Sequence, residues 1–216
     1  MLRQDKRKPG IVTPIVYIVD DDESVRESLE ALIAEVGWLP RVFESAGTFL
    51  ASTRPLVPSC AVLDIGLPDL DGLELQTKIA GSGELPVIFI TGRGDIPMTV
   101  KAMKAGAVEF LTKPFDTEAL VIAIRTALER SARVLEADQA LQTLRARYAE
   151  LSRREQDVLA QVVLGKLNKQ VAAALRISEV TVKGHRGRVM RKMRARSVAE
   201  LVNMADSLGF DTAGKR

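Results

Sequence analysis

The sequence predicts a doubly wound α/β domain on a five-stranded parallel sheet, joined by a long helix to a small all-α domain carrying a helix-turn-helix. Three observations carry this expectation. Across the first 128 residues, five short apolar runs alternate with stretches of helical periodicity, the pattern of a parallel sheet with right-handed crossovers. Beyond them only helical spacing and capping signals occur. The charge also divides. Residues 1–150 hold 17 Lys and Arg against 22 Asp and Glu, a net of −5; residues 151–216 hold 14 against 6, a net of +8, which gives the chain's +3.

Residues 1–14 read as a polar tail. Ile15–Val19 is an apolar strand that stops at Asp20, Asp21 and Asp22. Val25, Leu29, Leu32, Ile33 and Val36 then recur at helical spacing until Gly37 ends the run. Pro40–Glu44 reads as a short strand, and Ser45 can cap a short helix through Leu50. Cys60–Leu63 is a continuous apolar run, hence a strand buried on both faces, and it ends on the carboxylate of Asp64. Gly66, Pro68 and Gly72 punctuate a loop before the helical stretch Leu73–Ile79. Pro86–Thr91 is the next strand, a helix through Met98, Val100 and Met103 closes at Gly106, and Val108–Leu111 is the last strand before Thr112-Lys113-Pro114.

From Thr117 a helical pattern continues without Gly or Pro to about Leu151, with Ile124 and Leu128 on the sheet-packing face. Val134, Ala137, Leu141, Leu144, Tyr148 and Leu151 alternate by three and four, so this stretch is either a coiled-coil clamp or a solvated spacer. Ser152-x-x-Glu155 and Ser197-x-x-Glu200 are capping boxes, and Gly165 and Gly209 are helix stops. Between them, Asn168–Leu175, a tight Arg176-Ile177-Ser178 turn and the basic Glu179–Met193 form the helix-turn-helix. The expected divisions are a domain over 15–128, a linker helix over 129–150 and a second domain over 151–216.

Composition narrows the function classes. Hydrophobic content of 46% and charged content of 27% are those of an ordinary globular protein. No apolar run approaches the roughly 20 residues that span a bilayer, and no long apolar segment follows the basic N-terminus, so neither membrane insertion nor secretion is expected. One cysteine, Cys60, inside a strand pattern suits a reducing cytoplasm. With a single histidine, His185, a His-rich metal site is not expected.

The strands of an open α/β sheet end at a common crevice, and here they end on Asp20 and Asp21, Asp64, Thr91 and Lys113. Taken alone, Asp64 reads as a strand-end turn residue, and Asp20–Asp22 as acids favouring a helix N-terminus. Together they form a constellation. Three carboxylates suit a hard divalent cation, Mg²⁺ or Mn²⁺, that recruits phosphate oxygens as further ligands. Lys113 supplies a point charge and Thr91 a hydroxyl, so the set reads as a site that places a phosphoryl group on Asp64.

At these residues a resemblance is plain. IVDDDESVR, VLDIGLPDLDG, FITGRGD and AVEFLTKPF are similar to the receiver domain of two-component response regulators, over residues 15 to about 128. Within that family the FixJ/NarL type is most similar, through GDIPMTVKAMKAGAVEF. The resemblance implies a flavodoxin-like receiver with Asp64 as phosphoacceptor. It implies Asp21, Asp64 and the Gly66 carbonyl as direct metal ligands, with Asp20 acting through water. Thr91 and Lys113 are then the phosphoryl-binding pair, Lys113-Pro114 is cis, and Phe110 is the aromatic that swings inward behind Thr91. From its pattern alone, Phe110 reads equally as a strand core residue. Gly66 departs from the bulkier residues often found there, which leaves a phosphoryl group open to water.

LSRREQDVL, NKQVAAAL and ISEVTVKGHR resemble the LuxR-type DNA-binding domain, from residue 151 to about 210. At 100° per residue, Val182, Val189, Met190 and Met193 share a buried arc, and Lys183, Arg188, Arg191 and Arg194 lie on the other side. A basic outer face suits the major groove. The DNA-contact set expected is Asn168, Lys169, Thr181, Lys183, Gly184, Gly187, Arg188 and Arg191, with His185 structural.

The function expected is a cytoplasmic two-component response regulator. A sensor histidine kinase phosphorylates Asp64, and the phosphorylated form dimerises on double-stranded promoter DNA, with RNA polymerase a further partner. The only chemistry expected is self-phosphorylation and autodephosphorylation. Two other readings compete with it: a Mg²⁺-dependent phosphatase with a phospho-aspartyl intermediate, which needs a substrate pocket that no insertion after Asp64 provides, and a constitutive DNA binder with a silent receiver.

Overall fold

Apolar residues on both faces of consecutive strands leave a sheet no choice but to be covered on both sides, and that is the architecture found. The computed structural model describes residues 13–80, 85–92 and 96–210. All of the predicted tail except Thr13 and Pro14 lies outside these residues, as do Gly94 and Asp95 of the GDIPMTV motif. Five parallel strands, β1 (Ile15–Val19), β2 (Leu39–Phe43), β3 (Ser59–Asp64), β4 (Val87–Thr91) and β5 (Glu109–Thr112), stand in the order β2-β1-β3-β4-β5. The helices that alternate with them are α1 (Glu23–Val36), α2 (Ala46–Leu50), α3 (Gly72–Ala80), α4 (Ile96–Lys104) and α5 (Thr117–Ala149). β5 begins one residue later than the apolar run indicates, although Val108 already donates its N–H to the Val87 carbonyl at 2.7 Å.

Side chains alternate through the pleat into two cores. Tyr17, Leu63 and Phe89 meet Phe49 of α2 and Leu75 and Ile79 of α3 on one face. Ile18, Val62 and Ile90 meet Leu29 and Ile33 of α1 and Leu120, Ile124 and Leu128 of α5 on the other. The pairings Val19↔Leu63, Asp64↔Ile90 and Thr91↔Thr112 bring the carboxyl ends of the strands to one edge. The strand order reverses between β1 and β3, so the crevice opens beside Asp20 and Asp64. Local signals agree with the sequence reading. Asp22 caps α1, Ser45 caps α2, and Gly37 takes the left-handed conformation, φ 94°, that ends α1.

The chain packs as two units, Met1–Glu136 and Ala137–Arg216. The second contains the end of α5 and four further helices: α6 (Arg153–Val163), α7 (Asn168–Leu175), α8 (Glu179–Met193) and α9 (Val198–Ser207). Val158, Leu159, Val171, Val182, Val189, Met193 and Leu201 form its core. The left-handed Arg176, φ 54°, makes the tight turn between α7 and α8.

Two features differ from the sequence reading. Of the six seam residues, Leu151 is buried in the second core, and Leu144 and Tyr148 pack against it, Tyr148 with its ring 5.5 Å from that of Phe210. Only Val134, Ala137 and Leu141 are left outside that core, because a nearby apolar surface within the same unit takes the rest. At Ser197 half of the capping box forms. Its hydroxyl accepts from the Glu200 N–H at 3.1 Å, but Glu200 Oε2 accepts from the Arg196 N–H at 2.7 Å, one residue too early to close the box. The Ser152–Glu155 box is complete.

A measurable consequence concerns where the second unit begins. Arg147 donates to the Met193 carbonyl at 3.4 Å, so the last turns of α5 are tied to α8 by polar as well as apolar contacts. A fragment starting at Ala137 is expected to be more stable to urea than one starting at Glu150 by about 2–3 kcal/mol, the order expected for burying parts of one Leu and one Tyr. Equal stabilities would show that the last turns of α5 contribute nothing to this core.

Candidate functional site

Parallel strands that end together deliver their last residues to one place. Asp20, directly after β1, is wholly buried; Asp64, the last residue of β3, is nearly so; Asp21 is exposed. Carboxylate oxygens of the three lie within 4.8 Å of one another. Lys113, just past β5, reaches across from the sheet edge and donates to Asp20 Oδ2 at 2.7 Å and Asp64 Oδ2 at 3.1 Å. The other oxygens are held by backbone. Asp20 Oδ1 accepts from the Asp22 N–H at 3.0 Å and Asp64 Oδ1 from the Gly66 N–H at 3.2 Å.

Burial raises the Asp20 carboxyl above its ordinary value, against the lowering effect of Lys113 and the Asp22 N–H. Burial pulls the Lys113 ammonium down, but the hydrogen bonds it donates to Asp20 and Asp64 outweigh this and hold it above its ordinary value. Three carboxylates around one ammonium leave the site with excess negative charge and an oxygen-only donor set. That is the chemistry of a Mg²⁺ or Mn²⁺ site rather than of zinc.

Thr91, at the end of β4, is buried, and its carbonyl accepts from the Lys113 N–H at 2.7 Å. The Lys113-Pro114 bond is cis, as the resemblance implies. Phe110 is half-buried in the sheet core, its ring 6.4 Å from that of Phe89. Gly66 is exposed, with open space where a Cβ would stand.

Several residues that shape this site carried no functional signal in the sequence. Gly72, read there as loop punctuation, starts α3 directly behind the acceptor. A Cβ on it would stand 2.7 Å from the Asp64 carbonyl and 2.9 Å from Ile65 Cα, so any side chain would displace the loop. Asp69 accepts from the N–H groups of Ala46 and Gly47 at 3.2 and 2.8 Å and pins the loop after Asp64 to α2; the Gly47 N–H leads in lowering its carboxyl below the ordinary value. Arg26 donates to the Asp20 and Asp21 carbonyls at 2.8 and 2.9 Å, fixing the acidic turn.

In the second unit, α8 buries Val182, Val189 and Met193 and exposes Lys183, Gly184, Gly187, Arg188 and Arg191; Lys169 of α7 is also exposed. Three members of the expected DNA-contact set have partners inside the protein. The Arg188 guanidinium donates to Glu155 Oε1 at 3.0 Å and lies 2.9 Å from His185 Nδ1. Asn168 Oδ1 accepts from Arg186 at 2.8 Å, and the Thr181 hydroxyl lies 2.7 Å from that of the N-cap Ser178. Glu155, read only as half of a capping box, is 3% exposed and also accepts from Lys192 at 2.7 Å. Its bonds with Lys192, foremost, and with Ser152 lower its carboxyl to about 2.

Comparison with known proteins accounts for both halves. The response regulator receiver domain family matches residues 16–125, and the bacterial regulatory protein luxR family matches residues 149–205. The chain belongs to the response regulators. Nodulation protein W of Bradyrhizobium diazoefficiens is 50% identical over 197 residues, 91% of this chain and 87% of that protein. The transcriptional regulatory protein FixJ of Azorhizobium caulinodans is 44% identical over 191 residues, 88% of this chain and 90% of that one. Among solved structures, response regulator StyR superposes with a TM-score of 0.81 at 45% identity, covering 90% of this chain and 99% of its own. Full-length FixJ from B. japonicum gives 0.54 at 37%, covering 90% and 97%. With its receiver and luxR-type domains, this response regulator is a two-component transcriptional regulator, and no described helix is long and apolar enough to cross a membrane.

Proposed function

We propose that this regulator accepts a phosphoryl group on Asp64 from a sensor histidine kinase and, so modified, dimerises to bind promoter DNA. One observation carries the reading: Asp20, Asp21 and Asp64 converge within 4.8 Å of one another with the Lys113 ammonium bonded to two of them. A carboxylate oxygen of Asp64 attacks phosphorus. The P–N bond to the kinase imidazole breaks, its electron pair returns to the ring nitrogen, and an acyl phosphate forms. Asp20, Asp21, Asp64 and the Gly66 carbonyl would hold Mg²⁺ or Mn²⁺, which when bound neutralises charge on the phosphoryl oxygens. Lys113, already shared between Asp20 and Asp64, is positioned to follow the added negative charge. Thr91, buried at the next strand end, offers its hydroxyl to the phosphoryl group, and Phe110 follows it inward. The bare Gly66 leaves the acyl phosphate open to hydrolysis.

The surface beside this switch supports the dimer. Ile96, Val100 and Met103 of α4 and Ile122 of α5 are large apolar side chains exposed on one unit. Two chains joined there would present two α8 helices to half-sites roughly one DNA turn apart. The +8 charge of residues 151–216 supports duplex DNA as the target. We further place the functional boundaries at 15–128, 129–150 and 151–216.

The test is sedimentation of wild type and Thr91→Ala, each with and without acetyl phosphate and Mg²⁺. Wild type should shift from monomer to dimer, while Thr91→Ala should take up the phosphoryl group and remain monomeric. An unchanging wild-type oligomer with equal DNA affinity in both states would replace this reading with a silent receiver.

A further inference from the structure

Val180 is the second residue of α8 and is 82% exposed, and among the described residues it is not part of its domain's apolar core. At 100° per residue, Val180, Gly184, Gly187 and Arg191 fall along one line, roughly opposite the buried Val182, Val189 and Met193. A β-branched residue there lowers helix propensity and gains nothing from packing. Three neighbouring polar groups that could read bases are engaged: Arg188 with Glu155, Asn168 with Arg186, and Thr181 with Ser178. Lys183 and Arg191 remain exposed beside Val180, so the valine sits within a cationic face.

Resting on the DNA-binding reading above, we propose that Val180 is a specificity-determining residue that reads the 5-methyl group of a thymine in the major groove. The first turn of a recognition helix is where base edges are met. The thymine methyl is the apolar mark that the major groove offers, and an aliphatic side chain is its complement. A valine is short, so it reaches the groove floor only if the helix axis lies deep. Gly184 and Gly187, next on the same line, place no side chain between that axis and the bases. A Cβ at Gly187 would meet nothing in the free protein, and one at Gly184 only the Arg188 guanidinium at an ordinary 3.6 Å. Among the described residues, nothing demands glycine at either place.

The test uses the full chain, treated with acetyl phosphate and Mg²⁺, to enrich duplexes from a randomised pool. Each thymine of the enriched site is then replaced singly by deoxyuridine, which removes the methyl group alone. Wild type is expected to lose affinity about fourfold at one thymine per half-site, the factor for burying one methyl-sized group. Val180→Ala should bind the thymine duplex more weakly by the same factor and lose nothing further with deoxyuridine at that position. Val180→Thr, which keeps one γ-methyl, should retain the discrimination. Gly187→Ala should melt higher, having lost a helical glycine, yet bind the duplex more weakly. If no thymine methyl matters, or if its loss adds in full to that of Val180→Ala at every position, the proposal is overturned. Unchanged binding by Gly187→Ala would remove the deep seating on which the contact depends. Should no sequence be enriched, the DNA-binding reading falls, and this inference with it.

Discussion

Asp64→Asn is expected to abolish acyl-phosphate formation while leaving the fold as stable as wild type or more so. The amide that replaces the nucleophilic carboxylate does not attack phosphorus at a useful rate, and neither neighbour can substitute for it. Asp20 is wholly buried and already holds Lys113 at 2.7 Å and the Asp22 N–H at 3.0 Å. Asp21 is exposed and lies in the turn that Arg26 fixes by donating to its carbonyl. Stability should not fall, because the substitution removes one of three crowded like charges and leaves Lys113 its shorter bond to Asp20. Intact mass after incubation with acetyl phosphate and Mg²⁺, paired with thermal melting, reads both halves of this outcome. A hydroxylamine-labile phosphoryl group on the Asn variant would refute the assignment of the acceptor.

Glu155→Ala is expected to cost the second unit about 2–3 kcal/mol, well beyond the loss of a helix cap alone. Glu155 is buried and serves three donors: the Ser152 N–H at 2.9 Å, Arg188 at 3.0 Å and Lys192 at 2.7 Å. Removing it orphans an N-terminal N–H of α6 and unpairs two cations of α8. This cost is below the usual range for a broken buried pair because the side chains of Arg188 and Lys192 are 43% and 34% exposed and can rehydrate. The same carboxylate sets an acid limit. Its folded value of about 2 lies below the ordinary 4.5, so its contribution is fully present above pH 4.5 and lost as pH falls from there towards 2. Urea unfolding of residues 137–216 at pH 7 and pH 3 should show wild type losing stability by more than Glu155→Ala does. Parallel losses in the two proteins would mean that Glu155 is not the group responsible.

These two sites differ in how far they could be read from the chain. Asp20, Asp64, Thr91 and Lys113 were legible because each follows an apolar run, and a parallel sheet necessarily gathers the carboxyl ends of its strands. The runs themselves were legible because strands covered on both faces are apolar throughout, as in Cys60–Leu63 and Val87–Ile90. The Ser152 cap, the Gly37 stop and the Arg176 turn were legible because they depend on residues within one helical turn.

What only the tertiary structure decided is where side chains with several open partners find one. Leu144 and Tyr148 fit a seam pattern equally well, but lie against the second core because its apolar surface is close at hand in the same unit. Arg188 and Asn168 carry no mark in the sequence of an internal partner, and the positions of Glu155 and Arg186 give each of them one. Gly72 looked like any loop glycine until the Asp64 carbonyl came within 2.7 Å of where its Cβ would be. The sequence by itself determined the periodic elements, their local ends and the gathering of strand-end chemistry, all of which follow from backbone geometry within an element. Pairings across elements were left to the tertiary structure, since they depend on distances between residues far apart in the chain that no local pattern encodes.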